Sequence, residues 1–303
     1  MVRHFLTSKD FDKEFLLDIF GRAKEFENGK ESTHTGKVLG LLFLAESTRT
    51  SASLKSAIVR LGGGWYGLEG VKGTYLESGE EGLMDTAVAL AAFCDLFAVR
   101  GNVDPEMFRK IKVPVLNAMM GDDHTIAAVW LLYTIWKRLS KVEGLKLGTY
   151  GMVRYSRPIK SIYRVWSKFG ITIYEDSLLD EMGCPDDVRK EIAENGSTFE
   201  KKPVEEIMKE ADMFIVGEAL PQKGADPEAV KRFNEKFKTV DEEFMKKLNE
   251  KAYWLYIEPR QTTDGRLTTS EALDSHPRIL QNAFMRETVY CNMGIFSKLL
   301  ETK

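Results

Sequence analysis

The stretch "LLFLAESTRTSASLKSAIVRLGGG", Leu41 to Gly64, decides how this chain is read. It begins inside a continuous apolar run, "KVLGLLFL" (37–44), which suits a strand buried on both faces. The run stops at Glu46-Ser47-Thr48-Arg49-Thr50. Leu54, Ala57, Ile58 and Leu61 then recur at i, i+3, i+4 and i+7, so a helix follows at once, and Gly62 to Gly64 end it. "WYGLEG" resumes as a strand.

The same alternation runs through the rest of the chain. Phe11, Phe15, Leu16, Ile19, Phe20 and Ala23 have helical spacing over 10–27, with Ser8 or Asp10 as the cap. "GVKGTYLESGEEG" (70–82) is polar and Gly-rich and reads as a loop. A helix over "LMDTAVALAAF", strands at 96–100 and 113–119, and a long apolar helix at 125–139 follow. The pattern then restarts. Strands are expected at 145–153, 171–176, 212–220 and 253–259. Helices are expected from Pro158 to Phe169, over "PVEEIMKEA", over "DEEFMKKLNEKA" and from Arg286 to Leu300. This predicts an α/β protein of two domains, each a parallel sheet flanked by helices. The natural break lies near 138–145, giving domains 1–140 and 141–285 and a terminal helix, 286–303. No repeat with a period of 20–50 residues is present.

Composition narrows the function classes. The 303 residues carry a formal net charge of −3, with 43% hydrophobic and 29% charged side chains, as in ordinary soluble domains. No basic tract suggests nucleic acid, and no run reaches the ~18 apolar residues of a membrane span. Cys94, Cys184 and Cys291 are odd in number and far apart, so neither a disulfide framework nor a zinc spacing is expected. The first residues, "MVRHFLTSKDFDKEF", have no apolar segment of signal-peptide length, and a cytoplasmic protein is expected.

The function hangs on the strand–helix junction. In a parallel sheet such a junction lies on the carboxyl edge, where ligands bind. A helix start offers free N–H groups and a positive dipole end. Ser47, Thr48 and Thr50 add hydroxyls and Arg49 a guanidinium, which together make an anion site fit for phosphate. A plain N-cap would also use Ser or Thr, but it leaves Arg49 unexplained. No G-x-G-x-x-G or Walker motif offers a different phosphate site.

The tetrapeptide Ser47-Thr48-Arg49-Thr50, with the helix ending "RLGG" and "WYGL" after it, resembles the aspartate/ornithine carbamoyltransferase family. "GLMDTAVALAAFCDLFAVR" is similar to the family's helix and strand that lead to a catalytic arginine, here Arg100. "VPVLNAMMGDDHTIAAVWLLYTI" is similar to the segment "PVLNA…HPxQxLLDLxTI" and puts His124 at the family's histidine. "YGMVRYSRPIKSIYRVWSKFG" resembles the aspartate branch and puts Arg157 at its carboxylate-binding arginine. "MGIFSKLL" resembles the terminal helix. The ornithine branch fits less well, because its "HCLP" segment is absent.

The resemblance implies a carbamoyl-phosphate-binding first domain, an amino-acid-binding second domain and a last helix that returns to the first. It implies transfer of the carbamoyl group to an amino acid, aspartate by default, in pyrimidine biosynthesis, with no metal and no cofactor. Ser47, Thr48, Arg49 and Thr50 would hold the phosphate, while Thr50, Arg100 and His124 would act on the carbonyl. A homotrimer is implied as the catalytic unit, and a regulatory chain is a further partner the family allows. Taken one at a time, Arg100 could be a surface ion pair, His124 a cap-region residue and Arg157 a solvated residue at a helix start.

Several positions depart from the family. "HPxQ" reads "HTIA", so Ala127 stands where a glutamine holds the carbamoyl amide. Gly79 stands at the lysine of the family's mobile loop; Ser78 and Lys72 lie near it, among Glu77, Glu80 and Glu81. In "GEALPQK" (217–223), Glu218 falls at an arginine that grips the acceptor, with Gln222 and Lys223 just beyond. "YIEPR" keeps Pro259 and Arg260 of the family's acceptor segment. Two alternatives therefore accompany the aspartate reading: a transferase for a different amine, and a catalytically impaired paralogue that binds phosphate or serves assembly.

Overall fold

β1 (Val38–Phe43) is buried from Leu39 onward, as a run with no polar face must be. It pairs in parallel with β2 (Gly64–Glu69) on one side and β3 (Leu96–Gly101) on the other. β4 (Val115–Met120) extends the sheet beyond β3, giving the order β2-β1-β3-β4. The computed structural model of the chain describes residues 2–31, 34–219, 224–263 and 265–301. A second parallel sheet contains β5 (Lys146–Tyr150), β6 (Thr172–Asp176), β7 (Thr198–Lys201), β8 (Met213–Val216) and β9 (Tyr253–Tyr256), in the order β7-β6-β5-β8-β9. The α/β class, with two helix-flanked parallel sheets, is as the sequence predicts.

The chain divides into two compact units, Met1–Tyr133 with Met285–Lys303, and Thr134–Phe284. In the first, Leu42, Phe97, Val99 and Phe108 form part of the core on the sheet. In the second, Tyr150, Phe214, Phe233 and Trp254 do so. The helix Gln281–Glu301 packs its later turns on the helix Lys13–Glu27. A Cβ on Gly294 would lie 2.5 Å from the Ile19 carbonyl oxygen, so the two backbones meet where only glycine fits. Arg22 pairs with Glu301 at 2.6 Å across this seam.

Each sheet reverses its winding once. The chain runs from β1 to β2 and then crosses back to β3, so β1 and β3 flank the first reversal. It runs from β5 through β6 to β7 and then crosses to β8, so β5 and β8 flank the second. At such points neighbouring connections depart to opposite faces, and a crevice opens at the carboxyl ends of the strands.

Several local expectations change. The first helix is capped by Asp12, whose side chain accepts from Phe15 N–H at 2.8 Å; neither Ser8 nor Asp10 caps it. The loop 70–82 holds a short helix, Tyr75–Ser78, which Thr74 caps and Gly79 ends at φ 75°. The expected helix over 241–252 keeps only Glu242–Met245, because Asn249 N–H turns to the Met208 carbonyl at 2.7 Å. Helices Asp186–Glu194 and Pro227–Lys236 were not anticipated. The first buries only Val188 and Ile192, too few to show a period. The second carried a readable signal, Asp226 as cap with Pro227 behind it.

Candidate active site

The first unit brings Ser47–Thr50, Arg100 and His124 to the carboxyl ends of three adjacent strands. Five residues separate the end of β1 from the start of the helix Arg49–Arg60. Thr48 occupies the cap position but makes no side-chain capping bond. Ser47 does that work, its Oγ accepting from Ser51 N–H at 3.3 Å. The plain-cap reading thus holds for Ser47 alone, and its hydroxyl proton remains able to donate to an anion. Arg49 is exposed in the first turn, and Thr50 is buried beneath it.

Arg100, the next-to-last residue of β3, is the register partner of Phe43 at the end of β1. Its Nε donates to the Glu46 carbonyl at 3.0 Å and its Nη1 to the Ala118 carbonyl at 3.2 Å. The guanidinium therefore spans the reversal, fastened to the chain beside it on both sides. His124 closes the turn after β4 and starts the helix Thr125–Leu139, with its carbonyl accepting from Ala128 N–H at 3.3 Å. It is 8% exposed, and its ring meets Trp130 edge-on at 6.0 Å.

Behind these residues stands one that no motif singles out. Asn292, on the C-terminal helix, is 0% exposed. Its Oδ1 accepts from Trp130 Nε1 at 2.7 Å, and its Nδ2 donates to Ser53 Oγ at 3.2 Å. Ser53 Oγ donates in turn to the Thr50 carbonyl at 3.0 Å. An indole N–H can only donate, which fixes the amide's orientation and the direction of the whole chain of bonds. The link joins positions 239 residues apart, beyond the reach of any motif.

The acidic loop is partly structural. Glu77 Oε2 accepts from Gly73 N–H at 2.6 Å, and Glu81 Oε2 accepts from Thr86 Oγ1 at 2.9 Å. Gly79 has a left-handed backbone, which a lysine would adopt only with strain. Glu69, at the end of β2, takes a hydrogen bond from Ser51 Oγ at 2.6 Å and pairs with Lys55. Burial works to raise its carboxyl, but Lys55 and Ser51 outweigh it and hold the group below its ordinary range.

The second unit carries the remaining candidates at the carboxyl ends of β5, β8 and β9. Arg157 is the first residue of the helix Arg157–Trp166, capped by Ser156 Oγ, which accepts from Ile159 N–H at 3.4 Å. Glu218 follows β8 and is 8% exposed; its carbonyl accepts from Met152 N–H at 2.9 Å, across the β5–β8 reversal. Pro259 and Arg260 follow β9, after a cis Glu258–Pro259 bond. Arg260 pairs with Asp274 and lies 4.7 Å from the centre of the Tyr256 ring. Gln222 and Lys223 lie outside the described residues. Among the described residues no group of three or more His, Cys, Asp or Glu side chains could hold a metal.

Comparison with known proteins bears on the family and the fold. The family model for the carbamoyl-phosphate-binding domain of aspartate/ornithine carbamoyltransferases matches residues 3–137. The aspartate carbamoyltransferase catalytic subunit of Methanosarcina mazei is 30% identical over 246 residues, 78% of this chain and 79% of the relative. That of Archaeoglobus fulgidus is 26% identical over 309 aligned positions, 99% of this chain and 100% of the relative. The M. jannaschii aspartate transcarbamoylase catalytic subunit shares the fold, with TM-score 0.84 at 23% identity, over 99% of this chain and 98% of that one. The Trypanosoma cruzi aspartate transcarbamoylase, solved with carbamoyl phosphate and aspartate, has TM-score 0.84 at 22% identity, over 97% of this chain and 94% of that one.

Proposed function

The chain belongs to the aspartate/ornithine carbamoyltransferase family, and on that premise we propose that it transfers the carbamoyl group of carbamoyl phosphate to the amino group of aspartate. The first unit takes carbamoyl phosphate and the second the acceptor. The observation that carries the reading is the gathering of Ser47–Thr50, Arg100 and His124 on one sheet edge, around the β1–β3 reversal. Ser47, Thr48, Arg49 and Thr50 hold the phosphate at the helix start. Thr50, Arg100 and His124 face the carbonyl oxygen and stabilise the charge it gains as the neutral amine attacks. The C–N bond forms, a tetrahedral intermediate collapses, the C–O bond to phosphate breaks, and the amine's proton leaves with the phosphate. Arg157 receives a carboxylate of the acceptor, helped by its place at a helix start.

One observation favours a second reading. Glu218 is a buried carboxylate at the β8 end, where a dicarboxylate would meet repulsion. An acceptor with one carboxylate and a positive or neutral second group meets less. A homotrimer is supported by Trp65, Val88 and Phe93, which lie exposed on the first unit as a subunit interface would use them. Three cysteines without disulfides suit a reducing, cytoplasmic setting.

The test is ureido-product formation from carbamoyl phosphate with aspartate, ornithine, N-acetylornithine and putrescine as acceptors. Turnover with aspartate is the expected result, and turnover with a cationic amine instead would establish the second reading. No product with any acceptor, beside measurable carbamoyl phosphate binding, would overturn both and leave a binding subunit, with Ala127 and Gly79 as the missing groups.

A further inference from the structure

Glu175 is a buried acid that the transfer reaction leaves unused. It lies near the end of β6 and is 1% exposed. Its Oε1 and Oε2 accept from the Cys184 backbone N–H at 3.0 and 3.2 Å. The Tyr163 hydroxyl donates to Oε2 at 3.3 Å and lies 2.5 Å from Thr149 Oγ1. A Cβ on Gly183 would come within 2.8 Å of Oε1, so the segment before Cys184 is pressed directly onto the carboxyl group.

Both partners lead to the same place. Tyr163 is on the helix whose first residue is Arg157. Cys184 stands two residues after Met182, whose carbonyl accepts from both Val153 and Arg154 N–H, each at 2.9 Å. Arg154 Nε also donates to the Glu181 carbonyl at 2.9 Å. Ser156 N–H then bonds to the Val153 carbonyl at 2.9 Å, and the Ser156 side chain caps the helix. Glu175 therefore holds the body of the Arg157 helix through Tyr163, and it holds the turn that starts this helix through segment 181–184.

We propose that Glu175 is the positioning residue that sets how Arg157 meets the acceptor's carboxylate. The inference rests on the role given to Arg157 above. A pure packing role would be served more cheaply by an apolar side chain, because burying an acid carries a desolvation cost that an alkyl group does not. Burial does push the Glu175 carboxyl above its ordinary range, against the lowering effect of Cys184 N–H and Ser177. What an alkyl group cannot supply is an acceptor for two donors from different segments.

The experiment compares Glu175→Leu, Glu175→Gln and Arg157→Ala in the full chain, with three readouts. These are KM for the acceptor, carbamoyl phosphate affinity, and hydrogen exchange at the Val153 and Arg154 amides. Glu175→Leu is expected to raise acceptor KM about tenfold or more, since small misplacements of a binding group have effects of that order. It should also speed exchange at both amides and leave carbamoyl phosphate affinity unchanged. Glu175→Gln retains an acceptor for Cys184 N–H and should restore acceptor KM. Unchanged exchange in Glu175→Leu would overturn the proposal, because the turn would not depend on the carboxylate. Faster exchange with unchanged KM would also overturn it, provided Arg157→Ala raises KM. If Arg157→Ala itself leaves acceptor KM unchanged, the role of Arg157 fails, and the proposal with it. A Leu variant too unstable to assay would be replaced by Tyr163→Phe, which removes one of the two donors and should raise acceptor KM in the same direction; an unchanged KM there would overturn the proposal.

Discussion

Trp130 Nε1 donates to Asn292 Oδ1 at 2.7 Å, tying the helix that carries His124 at its start to the last helix of the chain. Through Ser53 the same amide reaches the carbonyl of Thr50. One side chain thus braces both the helix after His124 and the helix that carries Thr50, two parts of the proposed phosphate site. Asn292→Leu should destabilise the protein by about 1–3 kcal/mol, the usual cost of a buried donor left unpaired. It should also lower kcat, because His124 and Thr50 lose a common support. Thermal unfolding and steady-state kinetics of the variant check both.

Arg49 stands exposed at the helix start beside the Thr48 cap position. A ligand at a hundred times its Kd stabilises the native state by about 2.7 kcal/mol. Carbamoyl phosphate should protect the wild type against unfolding on this scale, and Arg49→Ala should lose most of that protection. Equal protection in both proteins would remove Arg49 from the phosphate site.

Arg100 fastens to carbonyls on both sides of the β1–β3 reversal, at 3.0 and 3.2 Å. A lysine has one donor head and cannot span them as the guanidinium does. Arg100→Lys should therefore reduce kcat by about 10²–10³, the usual effect of losing an oxyanion donor. Its melting temperature should change little. Near-normal kcat in a well-folded Arg100→Lys would show that the residue only ties the sheet edge together.

Glu218 is buried at the β8 end of the second reversal. Glu218→Gln removes its charge with little change of shape. If the aspartate reading is right, the variant's KM for aspartate should fall, since a like charge is gone. If the natural acceptor is cationic, kcat/KM for that amine should drop instead. Competition between the two amines in one reaction reads the outcome directly.

The buried Glu175 makes stability depend on pH, with a definite sign. Burial raises its carboxyl above the ordinary value of 4.5. The native state then binds its proton more tightly than the unfolded state does. From 4.5 up to the raised native value the native state holds more protons, so this group's contribution to stability falls as pH rises. Glu175→Gln has no such titration. Its stability advantage over the wild type should grow with pH above about 4.5 and then level off, which denaturant titrations at a series of pH values would show.

Most of what was legible in the sequence depends on neighbours along the chain, although the cap of the first helix and the helix Pro227–Lys236 were local features read wrongly or missed. The apolar run to Phe43, the hydroxyls at 47–50 and the i, i+3, i+4, i+7 pattern from Leu54 to Leu61 are local, and they placed the strand, the helix and the junction between them. Arg100 and His124 were singled out by resemblance to a family pattern, while the apolar runs placed only the strands they end or follow. Tertiary structure decided what is separated in sequence. It decided the strand order, which brings the carboxyl ends of β1, β3 and β4 side by side. It decided that Asn292, indistinguishable from any polar residue on a helix, supports Ser53 from 239 positions away. It also decided that Glu175, in a short strand that reads as half polar, is buried and holds two segments at once. Periodicity fixes which face of an element is apolar. Only packing fixes which buried polar atoms find each other, because that depends on distances between elements that no local pattern encodes.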